Sequence, residues 1–205
     1  MPKTPTTVLI RSSVFDRDRQ LIFLEEGIRY EESDLKGAPL KLIDKNSING
    51  FRYGIKWIKG FEFVIGRIYC IDLMADNKTA LKIRLKTLYG VRKFMLAEKY
   101  SLIIKLFFDY FFEDLLEQYV IEIDNGEIIS LLGTSISLEG IHLKNDSPLI
   151  TWENLGTGAY TTYYALFSKT DSGNYKTYDY LTDWNTALLF SLTRTMLHRK
   201  GLIQL

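Results

Sequence analysis

A chain of 205 residues and 23.8 kDa, 46% apolar and 25% charged with only 4 prolines, can bury the core of one large domain or two small ones. The same figures exclude the disordered, collagen-like and low-complexity classes. Its 26 Lys and Arg against 25 Asp and Glu give a formal net charge of +1, so global charge points to no obligate polyanionic partner. A single cysteine, Cys70, excludes an intramolecular disulfide and a thiolate metal cluster. The apolar run within the opening MPKTPTTVLIRSSVFDRDR lasts three residues, too short for a secretory leader, and the expected location is the cytoplasm.

Taken in chain order, the elements suggest a weak internal repeat. FLEEGIRY at 23–30 and SLEGIHL at 137–143 each read as strand, tight turn, strand, with Gly27 and Gly140 expected to supply the positive φ of a two-residue hairpin turn. Downstream, LIDKNSI at 42–48 answers LITWENL at 149–155, Ile43 matching Ile150 and Ile48 matching Leu155. A long hairpin follows in each half: GFEFVIGRIYCIDLM, turn ADNK, TALKIRLKTL in the first, and AYTTYYALFS, turn KTDSGN, YKTYDYL in the second. The odd positions from Phe61 to Leu73 predict a core face interrupted by Arg67, with the even face only partly covered. The tyrosines of the second hairpin predict cross-strand packing in a half-buried sheet.

A helix is predicted to end each half. The first spans about 92–119, and from Tyr100 to Tyr119 Lys105, Asp109, Glu113 and Glu117 fall on one i, i+4 line with nearly everything else large and apolar, so only a narrow stripe is expected to meet water. Those charges also rule out a membrane span. Phe107, Phe108, Phe111 and Phe112 are therefore candidate interface residues, forming a seam or a dimer contact. After this helix, VIEIDNGEII with its Asn125-Gly126 pair reads as a hairpin or a strand entering the second half. The closing helix, about 183–199, takes Thr182 or Asp183 as cap and Trp184, Leu188, Leu192 and Met196 as the face it buries, with Gly201 as the stop. The expected organisation is a first unit over 1–124 and a shorter second unit over 125–205.

A meander of short antiparallel strands closed by one amphipathic helix, present twice, resembles the pleckstrin-homology-like (PH-like) superfold in its bacterial form. The residues that carry the likeness are SISLEGIHL, LITWENL with Trp152, the hairpin AYTTYYALFS to NYKTYDYL, and the helix DWNTALLFSLTRTML. The resemblance implies an α+β fold of two meander or partly open barrel units. It implies mostly non-catalytic scaffolds that bind peptides, proteins or anionic headgroups. About five strands are readable in the second half where that superfold usually has seven, and its first-hairpin turns here, Glu25-Glu26-Gly27 and Glu139-Gly140, are acidic rather than basic.

Charge is distributed unevenly. Residues 41–99 hold 13 Lys and Arg against 5 Asp and Glu, a local +8, and residues 100–160 hold 2 against 10, a local −8. The candidate anion-binding residues are Lys45, Arg52, Lys56, Trp57, Lys59, Lys82, Arg84 and Lys86, with the last three cations at strand alternation on one sheet face. The plainer reading is that these basic strands face the acidic central helix, or that two copies associate basic to acidic. No catalytic constellation is visible: His142 and His198 have no sequence-local partner, and Cys70 sits in an apolar strand. NLGTGAY at 154–160 lacks the third glycine, Lys-Ser/Thr ending and following helix of a phosphate loop, and reads as a loop or bulge. The expectation is a non-enzymatic interaction module without cofactor or metal, binding a protein or peptide partner or itself. The alternative is a peripheral binder of an anionic membrane or other polyanion; nucleic acid is not favoured.

Overall fold

The computed structural model describes residues 3–11, 16–32 and 39–204. It is mixed α+β, with four antiparallel sheets, and the chain divides into two compact units, Met1–Glu113 and Asp114–Leu205. The division falls inside the helical run rather than at Asn125. Among the described residues no sheet closes into a barrel, and no helix is long and apolar enough to cross a membrane.

The first unit opens with a four-stranded meander, β1 (Thr6–Ile10), β2 (Arg19–Leu24), β3 (Gly27–Glu31) and β4 (Leu40–Asp44). A 3-10 turn, Lys45–Ser47, leads into a three-stranded meander, β5 (Ile48–Lys59), β6 (Val64–Ala75) and β7 (Lys78–Leu88). The Asp76-Asn77 turn between β6 and β7 has both residues at positive φ, 50° and 59°, the twist a tight hairpin requires. Helix α1 (Lys93–Phe107) follows, then a π turn, Phe108–Phe112, and helix α2 (Glu113–Asp124). The π turn adds a residue to the helical count, so Tyr110, Phe111 and Phe112 are all buried in succession. Phe107 meets Phe23 edge-on at 5.2 Å and Phe51 at 4.9 Å, which ties both sheets to the helix.

The second unit repeats that order. A four-stranded meander, β8 (Ile129–Leu131), β9 (Thr134–Ile136), β10 (Gly140–His142) and β11 (Ile150–Thr151), precedes a 3-10 turn at Trp152–Asn154. A three-stranded meander, β12 (Leu155–Ala159), β13 (Tyr163–Ser168) and β14 (Tyr175–Asp179), then leads to helix α3 (Thr186–Arg199). This unit has seven strands rather than the five that pattern reveals, because strands of two or three residues are too short to show alternation. Its core holds Trp152, Tyr164 and Tyr178. The Tyr164 hydroxyl shares a hydrogen bond of 2.7 Å with Thr193 Oγ1, and Trp152 Nε1 donates to Leu138 O at 3.1 Å.

The two glycine turns share a physical cause beyond the positive φ expected of them, which only Gly27 adopts. A Cβ on Gly27 would lie 2.1 Å from Ile43 O, and a Cβ on Gly140 would lie 2.1 Å from Ile150 O. Close approach of the next strand selects glycine at both places. Gly27 is at φ 154°, and Gly140 has no positive φ. The 3-10 turns also match, ending at Ile48 (φ −73°, ψ 116°) and Leu155 (φ −75°, ψ 123°).

Several boundaries move. Residues 120–124 of VIEID are the last turns of α2, which Asn125-Gly126 terminates: Glu127 N–H donates to Glu122 O and Gly126 N–H to Ile123 O. Gly201 ends α3 by the same pair of bonds. That helix starts at Thr186, not near Asp183, because the Asp183 carboxylate is already engaged by Asp179 N–H at 2.9 Å. Gly156 and Gly158 lie within strand β12, where the rings of Phe167 and Tyr160 occupy the space a Cβ would need.

Candidate functional site

The antiparallel register of the first unit's second sheet sorts its charges. In β5–β6–β7, Arg52 pairs with Asp72 and Asp72 with Lys82, Gly54 with Cys70 and Cys70 with Arg84, and Lys56 with Ile68 and Ile68 with Lys86. Paired residues share a face, so five cations and one carboxylate project on one side. The opposite side carries Phe51, Tyr53, Tyr69, Ile71, Ile83 and Leu85, and α1 covers it through Tyr100 and Phe107. Within this unit α1 therefore lies on the face opposite the cations, and the basic strands do not face it.

Asp72 anchors the basic face. Its buried carboxylate accepts a hydrogen bond from Arg52 Nε at 3.1 Å, while Arg84 Nη2 stands 2.6 Å from the other oxygen as an ion pair without hydrogen-bond alignment. The second terminal nitrogen of Arg84 donates to the carbonyls of Ile71 and Ile83 at 3.1 and 2.8 Å. Both guanidiniums are thus tied to the sheet, Arg84 directly opposite Cys70 in the register. Burial pushes the Cys70 thiol above its usual range, so it is a packed side chain and not a poised thiolate. Lys56, Lys82 and Lys86 stand exposed on this face.

The structure gathers part of the expected set. Arg52, Lys56, Lys82, Arg84 and Lys86 come together. Lys45 lies in the 3-10 turn before β5 and is not on this face. Trp57 pairs with Arg67 on the opposite side, the Arg67 guanidinium 4.5 Å from its ring, and Lys59 sits at the strand end. The four expected interface rings are core: Phe107, Phe111 and Phe112 are buried and Phe108 half-buried, packed on Phe23 and Phe51 of the same unit. Those four rings are covered within the first unit, whereas Phe94, Met95, Leu102 and Ile121 of the same helical run are exposed.

Sequence reasoning missed a second feature, the end of this sheet where Gly60–Phe63 and Tyr89–Arg92 turn. A cleft of about 230 Å³ opens there, lined among others by Trp57, Phe63, Arg67, Tyr89 and Lys93. Alternation places Phe61 and Phe63 on the core face, but β6 begins only at Val64 and both rings are exposed. The signal available in the sequence was the density of cations among these aromatics.

Elsewhere, His142 Nδ1 lies 2.8 Å from Ser147 O in β10, and His198 is exposed at the end of α3. Among the described residues no group of three or more His, Cys, Asp or Glu is placed to hold a metal ion. No known protein family matches the chain, and no curated protein does.

Proposed function

We propose that the protein is a non-enzymatic cytoplasmic binding module of two PH-like units, in which the basic face of β5–β7 binds a polyanionic surface. The single observation that carries this reading is the register of that sheet, which sets Arg52, Lys56, Lys82, Arg84 and Lys86 on one face around a lone carboxylate. Support for the PH-like reading comes from the order of elements: four strands, a 3-10 turn, three strands and a helix, run through twice. A protein- or peptide-binding scaffold is less well supported, because the rings that suggested it are interior.

The test is retention on immobilised heparin across a salt gradient, with a Lys56→Glu, Lys86→Glu variant beside the parent chain. Both lysines are exposed, so the variant keeps its fold. Retention that weakens steeply with salt and moves to lower salt in the variant is the expected result. Passage of the parent chain at low salt would refute the polyanion reading and turn the search to protein partners.

A further inference from the structure

One end of the first unit holds six large apolar side chains in water: Trp57, Phe61, Phe63, Tyr89, Val91 and Phe94. The Gly60–Phe63 turn is closed by Gly60 N–H donating to Phe63 O at 2.7 Å, and it projects Phe61, which is 101% exposed, at its apex. Tyr89 N–H donates to Ile65 O at 2.8 Å, which fixes the β7–α1 connection against the same end. Phe94, 79% exposed, opens α1 beside it. Large apolar side chains concentrated on a fixed backbone mark a contact surface, since water gains nothing from them.

Charge identifies the occupant. Residues 57–67 and 86–94 carry Lys59, Arg67, Lys86, Arg92 and Lys93 against the single carboxylate of Glu62. Arg67 lies over Trp57, and Lys93 Nζ is 5.5 Å from the Phe94 ring, so cation and aromatic alternate across the end. Exposed aromatic side chains interspersed with cations fit the anionic bilayer interface, where rings settle at headgroup depth and lysine and arginine meet phosphates. We infer that this end is a membrane-docking tip: Phe61 and Phe63 enter the headgroup region of an anionic bilayer while Lys59, Arg67, Arg92 and Lys93 engage lipid phosphates. The inference rests on the polyanion reading of the adjoining basic face and names its source as lipid.

The experiment is co-sedimentation of the full chain with phosphatidylcholine vesicles, with and without phosphatidylserine, beside heparin retention of the same proteins. The Phe61→Ser, Phe63→Ser variant removes the apex. Both side chains are already exposed, so an unchanged melting temperature shows that its fold is intact. The expected result is phosphatidylserine-dependent binding by the parent chain, lowered roughly tenfold or more in the variant, with heparin retention unchanged. Equal vesicle binding by parent and variant overturns the insertion tip. Heparin retention by the parent without vesicle binding also overturns it, but leaves the polyanion reading standing. Failure of the parent to bind either one overturns both.

Discussion

Asp72→Asn separates the two roles of the basic face, because stability and anion binding should move in opposite directions. The substitution keeps the side chain's shape and removes the charge that holds Arg52 and Arg84. Taking one partner from a fully buried ion pair costs about 3–5 kcal/mol, because the other charge is left desolvated. Here the carboxylate is 4% exposed but the guanidiniums are 25% and 37% exposed, so both can turn to water and the pairs are partly screened. The discounted cost is about 1–3 kcal/mol, and each kcal/mol lowers the melting temperature by roughly 4 °C for the unit Met1–Glu113. At the same time the face gains one unit of positive charge, which near an anionic bilayer is worth about 1 kcal/mol, or roughly fivefold in affinity. Calorimetry reads the first effect and sedimentation with phosphatidylserine vesicles the second. An unchanged melting temperature would refute the anchoring role of Asp72. Weaker vesicle binding by a folded variant would refute the assignment of this face to anions.

Gly140→Ala should destabilise the second unit and Gly27→Ala the first, each by about 2–4 kcal/mol, since a Cβ would stand 2.1 Å from a backbone carbonyl of the adjacent strand. Denaturant unfolding reads this, and a loss under about 1 kcal/mol would mean that the strands separate cheaply there. Alkaline pH should unfold the second unit. Burial holds the Tyr164 and Tyr178 phenols up at about 12, above their usual 10, so the folded state keeps protons that the unfolded state releases. Their stabilisation is fully present below pH 10 and is lost as pH rises from 10 to about 12, up to about 2–3 kcal/mol for each ring. Lys176, lowered by burial against the carbonyls of Leu132, Gly133 and Leu143, has the opposite sign, its contribution to stability rising with pH just below 10.5. Spectrophotometric titration during unfolding tests this, and early ionisation of both rings in the folded chain would refute it.

The α+β class, the long β6–β7 hairpin, the exposure of Lys105, Glu113 and Glu117 and the glycine stop of α3 follow from local chemistry and were legible in the chain, although apolar Leu102 and Ile121 of the same helical run meet water as well. The alternation of Lys82, Arg84 and Lys86 was legible too, because a strand's period of two is a local property. Ile43 and Ile150, and Ile48 and Leu155, sit at matching places around the two 3-10 turns. What tertiary structure alone decided is which surfaces meet. Phe107 and Phe61 are the same residue type, yet one is sealed between Phe23 and Phe51 and the other stands in water at a turn, because burial depends on partners distant in sequence. The reason for Gly27 and Gly140 likewise lay in carbonyls of a strand ten or more residues away. Asp72, one acid in a basic stretch, became an anchor only when β5 and β7 flanked it from both sides and brought two guanidiniums onto one carboxylate.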